Sequence, residues 1–204
     1  MQHKEDSLLW GVWRMDESLS TLCEELSGYA LYEQAMHRFT ATHRQQEWLS
    51  VRILLYSLLG EHKEVCYEPS GKPYLADGSF HVSISHTKGY VAVILGTKPV
   101  GIDIEQYGER VQRVAHKYMR EDEIPAPYQG NTTWSLLLHW SAKEVMFKCM
   151  ETSEVDFREH LHITPFLPQE QGVFRAKEYR TEQQRHFLIH YLLHPDFVLT
   201  WQID

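Results

Sequence analysis

Twice along the chain, a long stretch with the hydrophobic period of a helix gives way to short runs with the alternation of strands. In THRQQEWLSVRILLYSLLG (residues 42–60), Trp48, Val51, Leu55 and Leu58 form a helical stripe. Thr42 is placed to cap its start and Gly60 to end it. VCYEP, SFHVSIS, GYVAVILG and PVGIDIE follow, each bounded by Gly, Pro, Asp or Ser, and predict strands arranged as a meander. SGKPYLADGS between them is turn-rich. The second round has a helix over 109–119, the long helix NTTWSLLLHWSAKEVMFKCME (131–151), and then HLHITPF, GVFRAKEY, HFLIHYLL and FVLTWQI as strands. Ahead of both, 7–14 predicts a strand and 17–38 a helix. The expected fold class is therefore α+β: two similar lobes, each a long helix packed on a small, mostly antiparallel sheet. Their predicted extents are 1–104 and 105–204. No Pro-, Gly- or Ser-rich linker separates them, so they are expected to pack as one unit. Residue-level similarity between the halves is weak.

The chain of 204 residues is long enough to bury a substantial core, and 43% hydrophobic with 24% charged residues is ordinary globular composition. A net charge of −8 argues against non-specific nucleic-acid binding, which needs a basic footprint. It leaves room for an anionic ligand at a local cluster of Lys and Arg or at a metal ion. Three cysteines, Cys23, Cys66 and Cys149, are too few and too scattered for a disulfide framework or a CxxC site. They read as free thiols of a cytoplasmic protein. The N-terminal MQHKEDSLLWGVWRMDE lacks the basic-then-apolar pattern of a signal peptide, and no run is apolar enough to span a membrane.

Chemistry-bearing residues cluster in three places. In VGIDIE (100–105), Ile102 and Ile104 fit a buried strand face, and Asp103 and Glu105 point together to the other. Two adjacent carboxylates are either solvated or neutralised by a hard cation such as Mg²⁺. In WSAKEVMFK (140–148), Trp140, Glu144 and Lys148 share a helix face, with Val145 and Met146 expected away from it. This could be an ordinary amphipathic helix or the source of a third carboxylate. In FHVSISHTKGY (80–90), Ser85 and His86 end a strand, where they could donate to a phosphate or simply form a turn. A serine-hydrolase elbow, a P-loop, a GxGxxG turn and an HExxH helix are all absent. Among thirteen histidines, His186, His190 and His194 share a face, but a zinc site would need spatial convergence that spacing does not supply.

In order and spacing, GKPY (71–74), SISHT (83–87), VGIDIE (100–105), KYMREDEI (117–124) and WSAKEVMFK (140–148) resemble the motifs of 4′-phosphopantetheinyl transferases. The resemblance is to the longer, Sfp-type branch, whose monomers are pseudo-dimers. It implies transfer of the phosphopantetheine arm of coenzyme A to a serine of an acyl or peptidyl carrier protein, with Mg²⁺ and release of 3′,5′-ADP. It implies Asp103, Glu105 and Glu144 as metal-binding carboxylates, with Lys143 and Lys148 near the substrate phosphates. It implies Lys72, Ser85 and His86 as coenzyme A contacts, with Arg44 and Arg52 toward the adenosine 3′-phosphate. Glu144 would take the serine proton, with Glu123 as the reserve base, and Lys148 would stabilise the leaving group. Thr87 replaces the more usual Ser, and the aromatic pair before the glutamate is reduced to Tyr118 and Met119. A monomer would suffice, and neither nucleic acid nor membrane is an expected partner. An acidic carrier would need a local basic or apolar patch, expected between Gln106 and Thr133. Two rival readings use the same residues: a Mg²⁺-dependent diphosphate hydrolase of coenzyme A, and a non-catalytic module that binds coenzyme A or a carrier.

Overall fold

The structure, a computed structural model, describes residues 1–5, 7–26, 29–150, 152 and 154–203. The chain divides into two compact units, Met1–Thr97 and Lys98–Asp204.

The first unit holds β1 (Gln2–Glu5), β2 (Leu8–Arg14), α1 (Leu19–Glu25), α2 (Tyr29–Arg38), α3 (Thr42–Leu59), β3 (Val65–Tyr67), β4 (Pro73–Leu75), β5 (His81–Thr87) and β6 (Tyr90–Gly96). Four strands form an antiparallel sheet in the order β1-β2-β6-β5, and β3 and β4 pair separately. Val51, Leu54, Leu55 and Leu58 of α3 pack with Val82, Val91, Val93 and Leu95 of β5 and β6. Gly60 ends α3 at φ +75°, with its N–H on the Tyr56 carbonyl. That left-handed turn suits glycine.

The second unit holds β7 (Val100–Gln106), α4 (Arg110–Val114), a 3-10 turn (Ala115–Lys117), α5 (Thr133–Cys149), α6 (Phe157–His160), β8 (Leu161–Ile163), β9 (Gln171–Glu178), β10 (His186–His194) and β11 (Phe197–Ile203). Its five strands run antiparallel in the order β7-β11-β10-β9-β8. Leu138, Ala142, Val145 and Met146 of α5 share a core with Phe174, Phe187, Ile189, Tyr191 and Val198 of the sheet. The buried Glu178 carboxylate closes the β9–β10 turn by accepting from the N–H groups of Arg180, Thr181 and Arg185 and from the Thr181 hydroxyl. An α+β architecture of long helices on antiparallel sheets is therefore what each unit contains.

Several expectations change. The four runs from 65 to 105 are not a meander: β6 pairs with β2, far back in the chain, and β7 joins the sheet of the second unit. The division accordingly falls at Thr97, not at 104, because the whole of β7 is paired to β11. The helix expected over 17–38 is two helices, α1 and α2, and residues 27–28 of that stretch lie outside the described residues, as does residue 151 at the end of the second long helix. Thr42 is the first residue of α3, and its N-cap Ala41 makes no side-chain capping bond. The short strands β1 and β4 carry too few residues to show a period.

The seam between α5 and β7 is unusually close. A Cβ on Gly101 would lie 2.7 Å from Cys149 Sγ and 3.0 Å from the Val145 carbonyl oxygen. Among the described residues no helix is long and apolar enough to cross a membrane. Gly101→Ala is expected to push α5 off the strand and lower stability by about 1–3 kcal/mol, read as a reduced urea midpoint at unchanged slope.

Candidate active site

The close seam puts α5 over the face of β7 that carries Gly101, Asp103 and Glu105, so the carboxylate face is a covered one. Asp103 is only 4% exposed, and Ile102 and Ile104 on the opposite face are buried as well. Val145 faces the strand at Gly101, contrary to its expected place away from the site. Ser141, Val145 and Lys148 run along the middle of the seam, flanked by Trp140 and Glu144.

Buried carboxylates need partners, and α5 supplies them. Lys148 Nζ donates to Asp103 Oδ1 at 2.8 Å and to the Ile102 carbonyl at 2.9 Å. Ser141 Oγ donates to Asp103 Oδ2 at 2.8 Å and lies 2.7 Å from Thr200 Oγ1 on β11. Trp140 Nε1 donates to Glu105 Oε1 at 2.6 Å. Burial, then the charge of Asp103 and, less, of Glu144, push the Glu105 carboxyl up to about 7, against the Trp140 hydrogen bond and the Lys148 charge. Burial and Asp103 also raise Glu144, with the Lys148 ammonium opposing. Asp103, Glu105 and Glu144 thus sit within each other's field, with one ammonium among them. Among the described residues, no three His, Cys, Asp or Glu side chains are already arranged to ligate one ion.

Lys143 and Glu123 stand apart from this group. Lys143 is 0% exposed, and its ammonium donates to the Tyr118 carbonyl at 2.7 Å, to Glu123 Oε2 at 2.7 Å and to the Phe157 carbonyl at 3.2 Å. Burial pulls its pKa down, and the Glu123 carboxylate resists. Glu123, also buried, accepts from the N–H groups of Arg120 and Ile163. Each of these side chains has its hydrogen-bonding capacity committed to the fold. Lys143, expected near the substrate phosphates, and Glu123, expected as the reserve base, are thus paired with each other.

In the first unit, Arg44 Nη1 lies 2.8 Å from Glu47 Oε2 and 3.0 Å from His86 Nε2, bringing together two residues predicted far apart in sequence. His86 Nδ1 lies 3.7 Å from the other Glu47 oxygen. Arg52 is buried, with its guanidinium 3.3 Å above the Trp48 ring and donating to the Trp48 carbonyl at 3.0 Å. Burial pulls the Arg52 pKa down to about 10, with the neighbouring Tyr67 opposing. Arg38 lies over the Tyr67 ring at 4.9 Å. Ser85 is buried on β5, and Lys72 is exposed on the turn between β3 and β4. His190 and His194 stack on Trp201 and Phe197, a packing role.

Two residues at the second-unit site escaped sequence reading. Ser141 lay in plain view within the helix motif, as a small polar residue on the seam. Thr200 is found only through the β7–β11 register, which sets it opposite Asp103.

Two outcomes follow from these environments. Lys143→Met strands the Glu123 charge and is expected to lower stability by about 3–5 kcal/mol, with the double variant Lys143→Met/Glu123→Gln recovering part of the loss in urea unfolding. Glu105 rises from its ordinary 4.5 to about 7 on folding, so the native state holds that proton more tightly than the unfolded chain. Its contribution to stability is complete below pH 4.5 and is lost as pH rises through about 7. In metal-free buffer, Glu105→Gln is expected to flatten the fall of the urea midpoint over that window and to raise the midpoint above it.

The model of the 4′-phosphopantetheinyl transferase superfamily matches residues 99–202, almost the whole of the second unit and all of the α5–β7 seam. The chain is also similar to the 4′-phosphopantetheinyl transferase gsp of Aneurinibacillus migulanus, at 31% identity over 83 residues. That similarity covers 39% of this chain and 35% of the relative, so the chain matches about a third of the relative's length. With its carboxylate strand and lysine helix inside a family match over half its length, the chain belongs to the 4′-phosphopantetheinyl transferase superfamily.

Proposed function

We propose that this protein transfers the 4′-phosphopantetheine arm of coenzyme A to a serine of an acyl or peptidyl carrier protein, releasing 3′,5′-ADP. The observation that carries the reading is the seam itself: three carboxylates and Lys148 gathered on one α5–β7 face within the family match. The two units, each with a long helix on an antiparallel sheet, support assignment to the pseudo-dimeric Sfp-type branch. A single cytoplasmic chain would suffice.

The donor set fits a divalent cation. Burial first, and then the charge of Asp103, raise the proton affinity of both Glu105 and Glu144. Hard oxygens of this kind suit Mg²⁺. Asp103, Glu105 and Glu144 would hold it, and when bound it supplies charge neutralisation at the diphosphate. The remaining work falls to the chain. Lys148, with its ammonium on Asp103, is the group to stabilise charge on the leaving phosphate. Glu144 is the proposed group to take the serine proton, directly or through water. The serine oxygen–phosphorus bond forms, the phosphorus–oxygen bond to 3′,5′-ADP breaks, and the proton passes to Glu144. Arg44, His86, Arg52, Ser85 and Lys72 are the proposed coenzyme A contacts of the first unit. Of these, Arg44 and His86 already meet, and Arg52 lies over the Trp48 ring and donates to the Trp48 carbonyl.

An acidic carrier would meet the exposed side chains of Arg110, Arg113 and Lys117 on α4 and the turn after it, and Ile124, which is 78% exposed. These lie in the segment expected to dock it, in a chain of net charge −8. The test is intact-mass spectrometry of an apo carrier protein incubated with this protein, coenzyme A and Mg²⁺. The carrier is expected to gain the mass of one phosphopantetheine arm, EDTA to abolish the gain, and Lys148→Ala to slow it by about 10²–10³-fold. Free phosphopantetheine with unmodified carrier would instead mark a hydrolase. Bound coenzyme A with neither product would mark a binding module.

A further inference from the structure

We propose that Ser141 and Thr200 are positioning residues for Asp103, forming a two-hydroxyl relay that holds this carboxylate in its cation-binding orientation. The inference rests on the transferase reading above.

Both residues are 0% exposed. Thr200 on β11 lies directly opposite Asp103 on β7, so the two side chains share the sheet face covered by α5. Ser141 comes down from α5 between them, with its oxygen 2.8 Å from Asp103 Oδ2 and 2.7 Å from Thr200 Oγ1. Counting protons fixes the direction of the chain. An ionised carboxylate only accepts, and a hydroxyl has one proton to give. Ser141 gives its proton to Asp103, so the contact with Thr200 must be one in which Thr200 donates to Ser141. The relay runs from Thr200 to Ser141 to Asp103, and each bond polarises the next.

This arrangement has a geometric consequence. Oδ2 is committed to the relay by a charge-assisted bond, which sets the rotation of the carboxylate about its last torsion. Oδ1 is thereby turned to the side occupied by Lys148 Nζ at 2.8 Å. Packing alone gives no reason for either hydroxyl. Alanine would fill the seam at 141, and valine, nearly isosteric with threonine, would fill the strand position at 200. Two hydroxyls placed in a core are useful there because Ser141 meets the charge of Asp103 and Thr200 meets Ser141.

The test measures cation affinity on the full chain. Free Mn²⁺ is followed by its solution EPR signal as the ion is titrated into the protein with coenzyme A, against a protein-free coenzyme A control. Ser141→Ala is expected to weaken Mn²⁺ binding by about 10–100-fold, the usual effect of removing a partner that orients a ligand. Thr200→Val should weaken it less, in the same direction, and Thr200→Ser should bind like the wild type. In the transfer assay, Ser141→Ala should raise the Mg²⁺ concentration for half-maximal rate by the same factor. A purely structural role would lower the melting temperature and leave Mn²⁺ affinity alone. Wild-type Mn²⁺ affinity in both Ser141→Ala and Thr200→Val therefore overturns the relay and leaves the transferase reading standing. A wild-type protein that takes up no Mn²⁺ and modifies no carrier overturns both.

Discussion

The second unit depends on how closely α5 approaches β7. Gly101 has no side chain, and a methyl group there would run into Cys149 and the backbone at Val145. With the helix drawn down onto the strand, Asp103 lies buried beneath it and Glu105 half-buried. A buried carboxylate is destabilising by several kcal/mol unless it is paired and hydrogen-bonded. The polar residues along the seam answer that demand: Lys148 and Ser141 on Asp103, Trp140 on Glu105. Burial first, and then the neighbouring charge of Asp103, leave a raised proton affinity at Glu105 and Glu144.

The two lysines of α5 show how a helix separates scaffold from chemistry. Five residues advance a helix by about 140° beyond a full turn, so Lys143 and Lys148 face different neighbours. Lys148 reaches β7 at a partly exposed position. Lys143 is sealed in and ties together Tyr118, Glu123 and Phe157, three points on the segments that flank α5. Glu123 extends the tie to Ile163 on β8 through the N–H it accepts. This buried pair holds the helix from the side opposite the strand, so that the seam residues meet the carboxylates in register.

Much of this was legible in the residues. The switch from helical to strand period located α3, α5 and most strands, because each of those stretches buries a whole face. The paired carboxylates and the lysine helix were recognisable because their spacing carries the geometry of one strand and one helix. Strand order was not legible. β6 pairs on one side with its neighbour β5 but on the other with β2, more than seventy residues earlier, and β7 leaves its sequence neighbours for β11 near the other end of the second unit. Such pairings are decided by tertiary packing and leave no local trace. The Lys143–Glu123 pair went unseen for a related reason. Lys143 adjoins Glu144 in sequence, and adjacency along a helix points side chains in different directions. Thr200 was invisible until the β7–β11 register set it beside Asp103.

The central claim is that the charge-dense seam is a cation-assisted transfer site. Its most direct test is anomalous scattering from crystals grown with coenzyme A and Mn²⁺. The account predicts one strong peak within ligating distance of Asp103, Glu105 and Glu144, in contact with the diphosphate, with Lys148 turned toward a phosphate oxygen. Coenzyme A bound with no peak at the seam, and Lys148 still closed on Asp103, would contradict it.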